Sequence, residues 1–345
     1  MFNLPKSNVI AGLEWTGPRV SYPKPEIRGD TYPVTWSDDN ELYASSGDPQ
    51  WGETIDGLDI ERFDGDNPEK MTIIKVNHMN DYTGWGGDGP KPTGMISVDG
   101  VLYLAFQNML RSKKAPHSIL SQHGSDASIV YSTNKGWLFF TPRLPNIDKP
   151  MFPGYKFGGP AFLQHGKDNQ DARDEFVYAI SSDQWDNGSN LRLGRVPKNS
   201  IMERWTWQWV GAFDRDGNPA WTHNLDDAIP VFSMHRWLGC PEMVWLPKLK
   251  RYLLLTWRLH ADFSYQDGTD LLVLESPNPW GPFSLVHFEE YWEGKEFNPY
   301  CPRVPMKWVS EDNLSGHLLF SGSWHGPMKD AAYRASVRPF KLILK

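Results

Sequence analysis

The chain has 345 residues, enough for one large domain with a substantial core. Lys and Arg number 35 against 42 Asp and Glu, a net charge of −7, which gives no electrostatic reason to expect nucleic acid or an anionic membrane surface as partner. No apolar run approaches the ~20 residues of a membrane helix, and two cysteines, Cys240 and Cys301, make no disulfide framework.

The 17 Trp, 17 Phe and 13 Tyr stand beside 28 Pro and 30 Gly, and long helical patterns are almost absent. Short aromatic and β-branched runs punctuated by Gly, Pro, Asn and Asp predict an all-β chain. Taken in order, the first unit is "TYPVTW", "ELYASSGD" and "GLDIERFDGD". The second is "PKPTGMISV", "VLYLAFQN" and "DASIVYSTNKGW". The third is "GGPAFLQHG", "FVYAISSD" and "SNLRLGRVPK", and the fourth is "LGCPEMVWL", "RYLLLTWR" and "TDLLVLESPNPWGPF". The fifth is "PYCPRVPMKW", "HLLFSGSW" and "AYRASVRPFKL". Each unit opens on a segment built around a proline: Pro33, Pro92, Pro160, Pro241 or Pro302. A proline suits the first residue of a strand, where no ladder N–H is needed.

Five strand–strand–strand units, with a fourth strand in each spacer, predict a single-domain five-bladed β-propeller. The blades fall at roughly 28–85, 86–150, 151–225, 226–295 and 296–345, with the N-terminal segment available to close the ring. Two β-sandwiches would not explain a proline at the head of every unit. A blade cannot bury both of its faces alone, so the ring forms one cooperative body.

The first strand of each blade lines the central channel, which makes the residues flanking each proline candidates for its mouth. Before the prolines stand Tyr32, Lys91, Gly159, Cys240 and Cys301; after them stand Val34, Thr93, Ala161, Glu242 and Arg303. Buried charge survives only if paired, so Glu242 and Arg303 read either as an internal ion pair or as site residues. Asp30 and Asp48 bound one predicted hairpin whose turn is Ser37–Asn40, and pairing places these two ends together on one rim. They read either as turn and strand-end residues or as an acid pair. Asp38 and Asp39, in the turn, are structural Asx residues.

The runs "TWSDDNELYASSGD", "KPTGMISVDGVLYLAFQN", "PNPWGPFSLV" and "PMKWVSEDNLSGHLLFSGSW" resemble a propeller family long described as of unknown function, some members of which are endo-D-arabinanases. That family belongs with the five-bladed propeller glycosidases, and the resemblance runs from about Asp30 to Phe340. It implies a catalytic pair at the positions of Asp30 and Asp48. After Asp48, where a Gly-rich turn is usual, this chain has Pro49, Gln50 and Trp51.

Glycoside hydrolysis needs one protonated and one ionised carboxyl, about 5–5.5 Å apart in a retaining enzyme and wider in an inverting one. Glu242 is a third catalytic candidate, able to replace one aspartate as general acid. Lys91, Thr93, His165 and Arg303 are candidates for holding substrate, and Trp51 and Trp324 for stacking sugar faces. "STNKGW" is similar to the Asp-box turn of sialidases with Asn134 at the aspartate position, a blade hairpin and no site. No P-loop, G-x-S-x-G, H-E-x-x-H or C-x-x-C motif is present.

The expected function is hydrolysis of a polysaccharide or oligosaccharide, furanose-containing on the resemblance. No cofactor or metal is expected, and the partner is a carbohydrate, with no nucleic acid or membrane. The chain is expected to be a monomer or small oligomer. Met1–Gly12 holds no signal-peptide core, and the expected setting is secreted or periplasmic with a leader removed, or else cytoplasmic. Two alternatives compete. A polysaccharide lyase would use a cation such as Arg303, Arg195 or Lys91 and a base such as His165, His235 or Tyr32. A non-catalytic sugar-binding propeller would have no turnover to lose.

Overall fold

The computed structural model describes residues 4–22, 28–48, 57–79, 87–111, 122–140, 150–260, 268–322 and 328–345. Five antiparallel sheets stand in chain order as five blades. Blade I comprises Val34–Trp36, Leu42–Gly47, Leu58–Asp64 and Thr72–Met79. Blade II comprises Gly87–Val98, Val101–Arg111, Gln122–Ser132 and Phe152–Pro153. Blade III runs from Pro160–Phe162 through Phe176–Ser182, Asn190–Pro197 and Gln208–Phe213 to Pro219–Thr222. Blade IV holds Glu242–Leu246, Arg251–Leu259, Thr269–Ser276 and Ser284–Glu289. In blade V, Tyr300–Arg303, Ser315–Ser321 and Ser336–Leu344 are joined by Ile10–Trp15, which pairs with the last strand and supplies the fourth.

The sheets are buried on both faces, which explains why their strands read as near-continuous apolar runs. Alternate residues of one strand serve two different cores. In blade III, Phe162 packs toward blade II with Ile96, Ala105 and Ile129, while its neighbours Ala161 and Leu163 pack toward blade IV with Met243, Leu254 and Leu272. Leu318 and Phe320 of blade V face the blade IV core with Ile10 and Leu13, whereas Leu319 and Val337 meet Val34 and Leu42 of blade I. Tyr43 and Ile60 of blade I pack on Met95 and Leu104 of blade II. Each blade is thus stable only between its neighbours.

The prolines stand where the strand argument needs them, with two exceptions. Pro33 and Pro241 immediately precede an inner strand and Pro160 begins one, but Pro92 and Pro302 lie inside theirs, at shifts of register. The fourth strand of blade II, Phe152–Pro153, falls beyond the expected boundary at 150, because a long connection follows the turn at Ser132. In that turn Asn134 Oδ1 accepts from Ser132 Oγ (2.9 Å) and from Leu138 N (2.9 Å), as the hairpin reading requires.

Closure by the N-terminal strand predicts an asymmetric sensitivity. Ile10 is fully buried between blades IV and V, while Glu14 of the same strand faces solvent. Ile10→Ala is expected to cost about 2–4 kcal/mol, read as a lowered denaturant midpoint, with Glu14→Ala close to wild type. Equal effects would show that the strand does not close the ring.

Candidate active site

One end of the channel is formed by the N-terminal ends of the inner strands and the C-terminal ends of the second strands. Asp30 lies there in an isolated bridge to Gly47, with Asp30 N donating to Gly47 O and Gly47 N to Asp30 O, both at 3.0 Å. The ladder above is regular, pairing Val34 with Ala44 and Trp36 with Leu42, and would have set Asp30 opposite Asp48. Thr31 and Tyr32 interrupt it with positive φ of 67° and 37°. The interruption shifts the register by one residue, so Asp30 faces Gly47 and Asp48 follows at the rim. Gly47 has a steric reason to lack a side chain: a Cβ there would lie 2.7 Å from Asp30 Oδ1 and 3.0 Å from Pro92 Cδ.

The two acids sit in contrasting surroundings. Asp30 is buried, and its Oδ2 accepts from the Tyr300 hydroxyl at 2.9 Å; Tyr333 also hydrogen-bonds to it. Burial raises its pKa to about 6, with the Lys91 ammonium and the two tyrosines opposing the rise and the Asp48 charge adding to it. Asp48 has its side chain 54% exposed and is ion-paired with Lys91. Its φ of 42° places it, like Thr31, Tyr32 and Cys301 (51°), in the left-handed region that non-glycine residues seldom occupy.

Beneath Asp30 lies a small aromatic and thiol cluster: Cys240, Trp257, Leu259, Tyr300 and Cys301, with Trp185 packed against it. Trp185 is 6.3 Å from Tyr300 and 5.8 Å from Trp257, centroid to centroid. The two cysteines are free, buried and in thiol contact, the reduced pair that two cysteines before neighbouring channel prolines suggest.

Glu242 and Arg303 meet in the channel wall. Arg303 is fully buried and donates from Nη1 to Glu242 Oε2 (3.0 Å) and Pro241 O (3.1 Å), and from Nε to Thr31 O (3.1 Å). Burial raises the Glu242 pKa to about 7 against the pull of Arg303. Of the two readings open in the sequence, the geometry fits the internal ion pair, with both side chains buried in the channel wall.

Two other candidates have their polar atoms engaged within the protein. His165 lies at the opposite end of the channel, buried against Tyr252 (Nε2 to Oη 3.1 Å), and burial lowers its pKa to about 4. Thr93 spends its hydroxyl on Pro160 O at 2.8 Å, joining blades II and III. Asp38 and Asp39 are turn residues as expected: Asp38 is bound by Lys135, and Asp39 accepts from Glu41 N and the Tyr43 hydroxyl. Trp51 and Trp324 lie outside the described residues. Arg195, a cation weighed for a lyase, stacks on Phe176 and Trp221 at 4.1 and 3.9 Å in blade III.

The sequence reading missed Tyr300 and Tyr333, which hold Asp30. It also missed a buried acid in the third strand of three blades. Asp59 binds His78 (2.6 Å) and Lys75 (3.2 Å), Asp126 binds Asn108, and Asp270 binds His260 (2.6 Å) and Arg258 (2.9 Å). The signal was available in "GLDIERF", "SDASIVYS" and "TDLLVLES", each carrying Asp just before the apolar run. Among the described residues, no group of three or more His, Cys, Asp or Glu is placed to hold a metal ion.

No protein-family model matches the chain, and no curated protein matches it. Solved structures do match in fold. An α-L-arabinofuranosidase from Podospora anserina, solved with cellotriose, is 14% identical with a TM-score of 0.55, covering 97% of this chain and 99% of its own. The catalytic domain of a GH62 α-L-arabinofuranosidase from Coprinopsis cinerea is 11% identical at TM-score 0.54, covering 96% and 97%. A GH43_1 enzyme from Xanthomonas citri, solved with xylose, is 14% identical at 0.53, covering 93% and 89%. The chain shares their five-bladed propeller fold.

Two outcomes follow. Arg303→Leu strands a buried carboxyl and is expected to cost about 3–5 kcal/mol in denaturant unfolding. Adding Glu242→Leu should recover much of that loss; no recovery would mean that Arg303 acts chiefly through the carbonyls of Pro241 and Thr31. The second outcome concerns pH. Asp30 and Glu242 have folded pKa values, about 6 and about 7, above their ordinary 3.8 and 4.5. The folded state therefore holds more protons across this window, and the stability these groups contribute falls as pH rises from about 4 to about 7. Asp30→Asn should flatten the lower part of that slope in thermal midpoints measured across pH.

Proposed function

We propose that the chain is a glycoside hydrolase whose working carboxyls are Asp30 and Asp48. The observation that carries this reading is the contrast between them: a buried acid with a raised pKa beside a solvent-exposed one paired with Lys91, both at one mouth of a propeller. Glycosidic cleavage needs that division of labour. Asp30, protonated below about pH 6, gives its proton to the leaving oxygen. Asp48 acts as the charged partner, directly on the anomeric carbon or through water. Lys91 orients Asp48, and Tyr300 and Tyr333 hold Asp30. The reaction needs no cofactor.

The substrate class is a neutral poly- or oligosaccharide. The fold is shared with arabinofuranosidases and with a GH43_1 enzyme that binds xylose, and the resemblance to endo-D-arabinanases favours a furanose. Two of the three cations weighed for a lyase speak against that alternative: Arg303 is enclosed by Glu242 and backbone carbonyls, and Arg195 is stacked in blade III, while Lys91 stands at the mouth paired with Asp48.

The test is release of reducing ends from a panel of arabinans, xylans and mixed-linkage glycans, followed beside near-ultraviolet absorbance. Hydrolysis gives reducing ends without the absorbance of an unsaturated uronate. Asp30→Asn and Asp48→Asn should each lower the rate about 10²–10⁴-fold with thermal midpoints retained. Full activity in both variants would remove the assignment. With Asp30 as acid, kcat/KM should fall as pH rises through about 6, and a rise through the same range would exchange the two roles. Gly47→Ala, which intrudes on Asp30 and leaves both carboxyls in place, should lower kcat more than it raises KM.

A further inference from the structure

We infer that Cys240 and Cys301 are a modification site: oxidation closes them into a disulfide that staples blade IV to blade V beneath Asp30. The inference stands apart from the hydrolase reading. Each cysteine precedes a channel proline, Pro241 just before the inner strand of blade IV and Pro302 within that of blade V. The two strands are neighbours, and Arg303 Nη1 reaches across to Pro241 O beside the pair (3.1 Å). Both side chains belong to one buried cluster with Trp257, Leu259 and Tyr300. A disulfide needs two sulfurs that face each other on adjacent backbones. Here the thiols already touch, the Cys301 S–H donating to the Cys240 sulfur, so side-chain movement suffices to join them. The pair also lies close to the acid. Tyr300, whose hydroxyl binds Asp30 at 2.9 Å, is the residue before Cys301. Cys301 carries a φ of 51° at the shift of register between Tyr300 and Arg303. The link ties down the strained backbone that carries a hydrogen-bond donor to Asp30.

The oxidant is a low-molecular-weight disulfide, such as oxidised glutathione. One cysteine thiolate attacks a glutathione sulfur; a mixed S–S bond forms, the reagent's own S–S bond breaks, and one glutathione thiolate leaves. The second cysteine then gives up its proton and attacks the first cysteine's sulfur, and the other glutathione thiolate leaves. Two protein thiols are oxidised, one glutathione disulfide is reduced to two thiols, and the two protons pass from the cysteines to the glutathiones. Both sulfurs are buried in the folded ring, so the first exchange takes place on the open chain. Closure of the ring then brings the second thiol into contact. The loop closed by the bond contains the whole blade IV sheet, from Glu242 to Glu289. A cross-link over so long a loop restricts the unfolded chain more than one over a short loop. Coupling is reciprocal: a bond that favours the fold is itself favoured by the fold.

The experiment unfolds the full chain in urea and refolds it in glutathione buffers of graded oxidised-to-reduced ratio, beside a series kept in urea. Both series are quenched by alkylation and read by intact mass and peptide mapping. The refolded chain is expected to be half oxidised at a glutathione ratio about tenfold lower, or lower still, than the chain in urea. The product should be the Cys240–Cys301 cross-linked peptide, reversed by dithiothreitol. The oxidised chain should also unfold at a higher temperature than the reduced chain, a difference absent from Cys240→Ala and Cys301→Ala. Equal ratios in the two series, or a refolded chain that carries glutathione on one sulfur, overturn the inference. A second measurement needs no refolding: the chain produced in an oxidising compartment and isolated folded is expected to carry the bond, and two free thiols there overturn it. None of these readouts involves turnover, so this inference and the hydrolase reading fail separately.

Discussion

The geometry of the channel depends on one buried cation. Arg303 comes from blade V, yet its guanidinium is held by Pro241 O and Glu242 of blade IV and by Thr31 O of blade I. Taking a guanidinium and a carboxylate out of water costs several kcal/mol per ion. Here that cost is offset by a planar donor fork that fits three acceptors at once, something a lysine's point charge would not do. The contact to Thr31 also bears on the acid pair. Thr31 is the first residue of the left-handed pair that interrupts the blade I ladder, so the arginine meets the backbone where Asp30 is turned away from regular pairing.

That interruption explains how one short hairpin gives two carboxyls different surroundings. Had the ladder continued, Asp30 and Asp48 would have faced each other in the same environment, and like charges so placed resist ionising together. The one-residue shift draws Asp30 inward to the two tyrosines and leaves Asp48 at the edge with Lys91. Strained backbone at Thr31, Tyr32, Asp48 and Cys301 clusters around this point. Such strain persists only where the surroundings over-determine it, and the Arg303 contacts are among the interactions that do so.

Much of the architecture was legible because the physics behind it is local and repeated. A proline in or just before an inner strand, an apolar second strand and a third run recur five times, and each marks an element of the structure. The polar details were less accessible. Threonine and tyrosine are poor indicators of positive φ, so nothing in "RGDTYPV" announces the shift that sets Asp30 opposite Gly47. Tyr333 lies far along the chain from Asp30 and meets it only because blade V closes against blade I. His165 stood among the candidates for holding substrate and as a possible lyase base. A strand has two ends, however, and three residues of inner strand carry it from one mouth toward the other.

The contrast between Glu242 and Asp30 shows why composition at a channel mouth is a weak guide to chemistry. Both are buried acids with raised pKa values, and both lie beside inner-strand prolines. They differ in what satisfies them. Glu242 is met by a fixed cation that cannot give up its proton, although its Oε1, like Asp30 Oδ1, is buried with no hydrogen-bond partner among the described residues. Asp30 is hydrogen-bonded by the neutral hydroxyls of Tyr300 and Tyr333, with the Lys91 ammonium near enough to oppose the rise in its pKa. A carboxyl held by neutral donors can change its proton at modest cost, whereas one locked to an arginine resists neutralisation and leaves a buried cation when it occurs. By that criterion the acid suited to proton transfer is Asp30, the one that no arginine holds.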